Sequence, residues 1–366
     1  MSSELRIERL EVTNFRNIEQ LELDLAPRIN VIAGDNGHGK TSVLEALYFV
    51  ATSRSFRTER ISEAQREGAA TTRVTALVLD AGQQRAQRAA LVSGRRSLAL
   101  DGKRPESLAS FAVRTPVVVF HPGDLQLVSG GAALRRTLLD RIGLFQEPHR
   151  AQARSRYAKA QRQRQQLLQQ RGVRARELEV FEDLMAQAGV EVELGRAMST
   201  VALRSALQEV FAELAAADLE LTLELRMGGC TDAAEFRREL FARRERDLQR
   251  RAASFGPQRD DLELTLNRRS ARHHASQGQQ RILTLALKVA ELDCVRRARG
   301  ADPLLLLDDV SSELDPERTG AVYRFVRRAT NQVLVTTTRP ELFETPGLGA
   351  VDRADFRLHH GQLVRP

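Results

Sequence analysis

Residues 33–41, Ala33-Gly34-Asp35-Asn36-Gly37-His38-Gly39-Lys40-Thr41, set three glycines, a lysine and a hydroxyl in the spacing Gly-x-x-x-x-Gly-Lys-Thr. This is the pattern of a phosphate-cradling loop. Gly34, Gly37 and Gly39 let the backbone turn its N–H groups onto a polyphosphate, with Asp35, Asn36 and His38 completing the cradle at a helix N-terminus whose dipole favours anions. Lys40 suits β- and γ-phosphates, and the Thr41 hydroxyl suits magnesium. A glycine turn that only joins strand to helix has the same spacing, so the flanks decide. Arg28 to Ala33 is short, β-branched and apolar, and Thr41 to Tyr48 has helical spacing. Strand, glycine loop and helix make the loop a binding site for a nucleoside triphosphate.

Two further stretches carry compatible chemistry. Ala275-Ser276-Gln277-Gly278-Gln279-Gln280 precedes the apolar, helical run Ile282 to Leu292. Ser276 or a neighbour should cap that helix, giving a second anion-suited N-terminus at Ser276, Gln277, Gly278 and Gln279. Pro303 to Leu307 is an apolar strand that ends in Asp308-Asp309. A strand-end Asp308 suits magnesium, and the acid after it, Asp309, suits a base that orients water. Val333-Leu334-Val335-Thr336-Thr337-Thr338 is another buried strand, ending in hydroxyls.

The elements between these stretches must position them. Leu5 to Val12 and Ile18 to Leu25 alternate and pair through Asn14-Phe15-Arg16-Asn17. Arg57, in a polar loop, is within reach of a phosphate, although solvated loop arginines are commoner. Strands are expected over 72–79, 86–92, 96–100 and 115–120, with a turn at Asp101-Gly102 and a stop at His121-Pro122-Gly123-Asp124. From about residue 130, Ala, Gln, Arg, Leu and Glu take over, and helices are expected. Residues 151–171 carry Arg154, Arg156, Lys159, Arg162, Arg164 and Arg171 among glutamines, so that helix lies in solvent or against something acidic; it is the leading candidate for phosphate contacts. Over 177–217, Phe181, Leu184, Ala188, Val192, Met198, Val201 and Phe211 recur near helical spacing and should pack inward, with Met185 and Met198 as core fillers. Residues 219–225 alternate strictly and read as a strand.

Composition bounds the rest. The 366 residues are 42% hydrophobic with a formal charge of +8, enough for a sizeable core and favourable to a polyanionic partner. Cys230 and Cys294 stand far apart without zinc-like spacing, and no signal peptide or membrane span is visible, so a soluble, cytoplasmic protein is expected. His273-His274 and His359-His360 resemble metal pairs, but adjacent residues of a strand point to opposite faces.

The ordered set of phosphate loop, Ser-x-Gly-Gln before a helix, and apolar strand with Asp-Asp followed by Glu313-Leu314-Asp315 resembles ABC-type ATPase heads, as in SMC proteins. Within them it resembles the RecF family of bacterial recombination mediators, on Asn14 to Asn17, Gly123-Asp124-Leu125 with Arg135-Arg136 and Leu139-Asp140, Gly256 to Leu262, and Ala275 to Gln280. Gly123 stands where that family usually has an acid, and Gln258 where it has histidine. The resemblance implies an α/β fold: an ABC-type P-loop ATPase head from residues 1–130 and 256–366, with a mainly helical lobe inserted at 131–255. It implies ATP and Mg²⁺ as cofactors, held by the phosphate loop with Arg16, Asn17 and Arg57. Ser276 to Gln279 then reach the γ-phosphate of the opposite subunit of an ATP-dependent homodimer. Asp308 and Thr41 hold the magnesium, Asp309 is the catalytic base, and Asp315 communicates across the dimer. Transporter-type ATPases place a histidine after the last core strand, where this chain has Thr336 to Thr338. Sensing of the γ-phosphate therefore falls to a hydroxyl, Thr337, and turnover should be slow. The implied partners are double-stranded DNA near gaps or junctions and RecR, with RecO and RecA downstream.

Overall fold

The computed structural model describes residues 5–214, 219–309, 332–343 and 351–364. In chain order its first elements are β1 (Leu5–Phe15), β2 (Ile18–Asp24), β3 (Ile29–Ala33), α1 (Lys40–Thr52), β4 (Thr71–Asp80), β5 (Gln83–Val92), β6 (Arg95–Leu100), α2 (Leu108–Ala112) and β7 (Val117–Phe120). The middle of the chain forms α3 (Gln126–Ser129), α4 (Ala132–Gln146), α5 (Ala151–Arg171), α6 (Leu178–Leu214), β8 (Leu221–Arg226), α7 (Ala233–Ala242), α8 (Arg244–Arg250), β9 (Asp261–Leu266), β10 (Arg269–Ser270), α9 (Ala271–His274) and α10 (Gln277–Arg299). Four strands follow: β11 (Leu304–Asp308), β12 (Val333–Thr337), β13 (Arg353–His359) and β14 (Gln362–Val364). The chain divides into two compact units, Met1–Asp124 with Val295–Pro366, and Leu125–Cys294.

The first unit holds two sheets. One runs β2-β1-β4-β5-β6, antiparallel throughout, and the other runs β14-β13-β3-β12-β11-β7. In the second, β13, β3, β12, β11 and β7 are mutually parallel. Parallel strands covered on both faces read as unbroken apolar runs. That explains why Leu304 to Leu307 and Val117 to Phe120 lack alternation and are buried throughout. Phe15, Phe49, Phe111, Ile32, Leu44 and Leu47 fill one core shared by α1 and both sheets, each such side chain contributing roughly 1.5–3 kcal/mol when fully buried. Gln332, just before β12, fastens the two sheets together: its amide nitrogen donates to the Ile7 and Ala26 carbonyls, both at 2.8 Å, and its oxygen accepts from Ile7 N–H at 2.8 Å. Every polar atom of that buried amide is satisfied, as burial requires.

The second unit has its own core, in which Leu138, Leu139 and Ile142 of α4 meet Leu203 and Leu207 of α6 and Leu283 and Leu287 of α10. Its boundary lies at residue 294, not at 256. The reason is pairing: β9 runs antiparallel to β8 from Leu221↔Leu266 to Arg226↔Asp261, and α10 then packs into the core beneath. Two other expectations change here. Of α5's cations, Arg164 is fully buried on Glu182 and Asp247, Arg154 pairs with Asp140, Arg156 with Glu191 and Arg171 with Glu177. The helix's charge is thus largely answered by acids of the same unit, leaving Lys159 and Arg162 exposed. On α6, Met185, Ala188, Val192 and Phe211 are buried as expected, whereas Leu184, Met198 and Val201 are exposed at 47%, 44% and 66%. Only one stripe of a 37-residue helix faces the core, and these three lie roughly 100–160° around the helix from buried Met185 at about 100° per residue.

Candidate nucleotide-binding site

The phosphate loop is built as its residue types require. Gly34, Gly37 and Gly39 have φ values of 157°, 84° and 100°, where side chains with a Cβ are strained. Two of them are also crowded: a Cβ at Gly34 would lie 2.5 Å from the Leu358 carbonyl, and one at Gly39 would lie 2.8 Å from the Asn17 amide nitrogen. Behind the loop, Asn17 Oδ1 accepts from Ser42 Oγ at 2.8 Å, so Asn17 buttresses the loop. Asp35, Asn36 and Gly37 are exposed at its tip. Lys40 Nζ donates to the Gly34 and Asp35 carbonyls at 2.7 and 2.9 Å. Burial lowers its pKa, against the opposing pull of Asp309, Asp308 and Asp35. The ammonium is thereby stationed over the cradle by carbonyls that a phosphate can replace.

Across the sheet, Thr41 Oγ1 donates to Asp308 Oδ1 at 2.9 Å and Thr336 Oγ1 to the same oxygen at 2.7 Å. Thr336 Oγ1 also accepts from Asp309 N–H at 3.0 Å. One hydroxyl thus orients the Asp308 carboxylate and holds the backbone of Asp309. Burial pushes the Asp308 carboxyl above the usual range, with the Thr336 and Thr41 hydrogen bonds opposing it. Asp309 has φ 45°, a left-handed conformation that Asp tolerates better than most residues and that turns it out of the strand. A buried carboxylate beside a threonine hydroxyl, all oxygen and hard, fits Mg²⁺; Thr41 and Asp308 are the residues that would hold it.

The hydroxyl on Asp308 is that of Thr336, not Thr337. Neighbouring strand residues face opposite sides, and Thr337 Oγ1 accepts from Arg339 N–H at 2.9 Å. Arg16 and Arg57 converge on Glu45 of α1: Arg16 binds it through Nε and Nη2 at 2.9 and 2.6 Å, and Arg57 at 3.3 Å. Glu45 was not anticipated, although a lone acid in an apolar helix demands a counter-charge. His121 is a second residue that sequence reasoning missed. Phe120 pairs with Leu307, so His121 comes alongside Asp308 at the end of β11, where a protonated imidazole lowers the pKa of the Asp308 carboxyl. Ser276 caps α10 as expected, accepting from Gln279 N–H at 3.2 Å while Gln279 Oε1 accepts from Ser276 N–H at 2.9 Å. This reciprocal capping box leaves Ser276 and Gln277 exposed and Gly278 half-buried. Asp315 lies outside the described residues.

A family model described as RecF/RecN/SMC N terminal domain matches residues 6–347. The DNA replication and repair protein RecF of Myxococcus xanthus is 37% identical over 371 residues, covering 98% of this chain and 97% of that protein. The chain belongs to the RecF family. The RecF of Geobacter sulfurreducens is 36% identical, covering 98% of this chain and all of the relative. A solved structure of the recombination mediator protein RecF-ATP in the RecFOR pathway superposes with a TM-score of 0.88 at 24% identity, covering 100% of this chain and 98% of that one. The Smc head domain of Pyrococcus furiosus superposes at 0.53 and 16% identity, covering 98% and 96%. The fold is therefore the ABC/SMC-type ATPase head of RecF, with its helical insert. The two departures from the RecF pattern have local reasons. Gly123 donates its N–H to His121 Nδ1 at 3.2 Å and leaves room for that ring. Gln258 ties its own turn to α5, accepting from Tyr157 Oη at 2.7 Å and donating to the Phe255 carbonyl at 2.9 Å. Among the described residues, no helix is long and apolar enough to cross a membrane.

Proposed function

We propose that this chain is an ATP-dependent DNA-binding protein of recombinational repair and replication restart. In this reading two copies close on ATP around double-stranded DNA, and slow hydrolysis releases it. The observation that carries the reading is the 2.9 Å hydrogen bond from Thr41 to Asp308: it joins the phosphate loop to a strand-end carboxylate, as nucleotide hydrolysis needs. Membership in a family whose relatives are named for DNA replication and repair supplies the biological setting. Lys40 would leave the Gly34 and Asp35 carbonyls for the β- and γ-phosphates. Asp309 would accept the proton of the attacking water, yielding ADP and phosphate. Bound Mg²⁺ would supply charge neutralisation at the phosphates. Thr336 would hold the Asp308 carboxylate in place, with Thr337 one residue beyond. The capped N-terminus of α10, with Ser276 and Gln277 exposed and Gly278 beside them, is suited to a γ-phosphate presented by a second copy, which would make the dimer conditional on that phosphate. RecR, with RecO and RecA downstream, is the partner set proposed by family.

The test is molecular mass by light scattering, with and without ATP and magnesium, for the wild type, Lys40→Met and Ser276→Arg, with duplex DNA in parallel samples. The expected result is a dimer that needs ATP, is lost in both variants and holds DNA more tightly. A monomer under every condition, DNA included, overturns the clamp.

A further inference from the structure

Three imidazoles meet at the edge of the phosphate loop. His38 belongs to the loop, His359 ends β13 and His360 opens the turn into β14. The ring centroids lie 4.7 Å apart for His38 and His359, 4.7 Å for His38 and His360, and 4.4 Å for His359 and His360. One ring nitrogen of each falls within 4.8 Å of the others. The objection that adjacent histidines diverge on a strand fails here for a definite reason. His360 has φ 47° and Gly361 φ 78°, a left-handed pair that reverses the chain and brings both rings to the side of His38.

The backbone beneath the trio is fixed. Gly361 N–H donates to the His38 carbonyl at 2.9 Å, and Gly34 lies so close to Leu358 that no side chain fits between them. Ordinary packing does not account for the cluster. His359 and His360 are exposed and His38 half-buried, and among the described residues no carboxylate forms an ion pair with any of the three. Three imidazoles gathered in water gain little from one another's rings and repel when protonated.

We infer that His38, His359 and His360 form a binding site for a divalent transition-metal ion of the zinc class, tying the phosphate loop to the β13–β14 hairpin. Imidazole nitrogens suit zinc, cobalt, nickel and copper, whereas magnesium takes oxygen ligands. This site is therefore chemically distinct from the Thr41 and Asp308 pair. Three protein nitrogens leave a fourth position open to water. Zinc–nitrogen bonds of about 2.0–2.1 Å place tetrahedral ligands roughly 3.3 Å apart, and rotation of the two exposed rings closes the distance.

Untagged, chelator-stripped full-length protein would be titrated with Co²⁺, following its d–d absorption, and dialysed against Zn²⁺ to count ions per chain. The wild type, His360→Gln and the double variant His359→Gln/His360→Gln would be compared. Hydrogen exchange at residues 359–361 would be followed with and without Zn²⁺. The expected result is one ion per chain, tetrahedral cobalt bands and slower exchange at Gly361. Each variant should bind at least ~10–100-fold more weakly, the loss known for removing even an outer-shell partner. No binding by the wild type overturns the inference. So does binding by both variants as tight as by the wild type, or unchanged exchange at Gly361, since either would put the ion elsewhere.

Discussion

Glu193 and Glu191 stand two residues apart on α6 and lead opposite lives. Glu191 reaches Arg156 at 2.7 Å on the surface, while Glu193 is fully buried, its Oε1 accepting from Gly229 N–H at 2.9 Å. Burial, with Asp260 beside it, pushes the Glu193 carboxyl up to about 8. An unfolded glutamate titrates near 4.3. The folded chain thus keeps a proton that the unfolded chain releases, and this contribution to stability is complete below about pH 4 and lost as pH rises through about 8. Glu193→Gln retains the oxygen that faces Gly229 and cannot ionise. The urea midpoint of the wild type should therefore fall between pH 6 and pH 8.5 by more than that of Glu193→Gln. Identical pH slopes in the two proteins would show that Glu193 is already ionised in the fold. Nothing in the string Glu-Val-Glu separates the two acids, because burial of one and exposure of the other come from partners far away in sequence.

The same limit governs α5, the element whose sequence most invites a nucleic-acid reading. Its arginines alternate with glutamines, and the composition is equally compatible with a solvated helix, a phosphate-binding helix or an internally paired one. The structure selects the third for most of it: Arg164 lies 1% exposed between Glu182 and Asp247, also donating to the Leu240 carbonyl. Removing one partner of such a cluster leaves buried charges unanswered, so Arg164→Ala should cost about 3–5 kcal/mol. Arg162→Ala, on the exposed side, should stay within about 0.5 kcal/mol. Denaturant titration of both variants checks this, and equal small effects would mean that the buried cluster is not formed. Elements with a local signature were legible. The glycines of the phosphate loop, the unbroken leucines of β11 and the Ser276 cap each declare themselves in a few residues. Glu45, His121 and the Thr336 hydroxyl on Asp308 were not, because each is defined by which element lies alongside. The outward turning of Met198 and Val201 was missed for a related reason: periodicity gives a stripe but not which of two stripes faces inward.

At the scale of the molecule, the first unit is assembled from both ends of the chain. Strand β3 is flanked by β13 and β12, both from beyond residue 330, and among the described residues β7 pairs only with β11. The second unit is continuous, with its core drawn from α4, α6, β9 and α10. A fragment of residues 125–299 should therefore unfold in one cooperative transition by circular dichroism. A fragment of residues 1–124, which lacks both neighbours of β3, should not. A cooperative melt of the shorter piece would show that the antiparallel sheet and α1 suffice without the C-terminal strands. The Thr41–Asp308 hydrogen bond, between residues 267 apart, has a meaning during synthesis as well. A ribosome working at about 5–20 residues per second delivers Asp308 roughly 15–50 s after Thr41, with β12 and β13 later still. The glycine loop therefore waits for its carboxylate partner until β11 has been made. A chain cut short by a premature stop codon before β11 would carry the loop and the whole second unit yet lack the carboxylate that Thr41 binds, so an assembled Thr41–Asp308 pair itself reports that the message was read past β11.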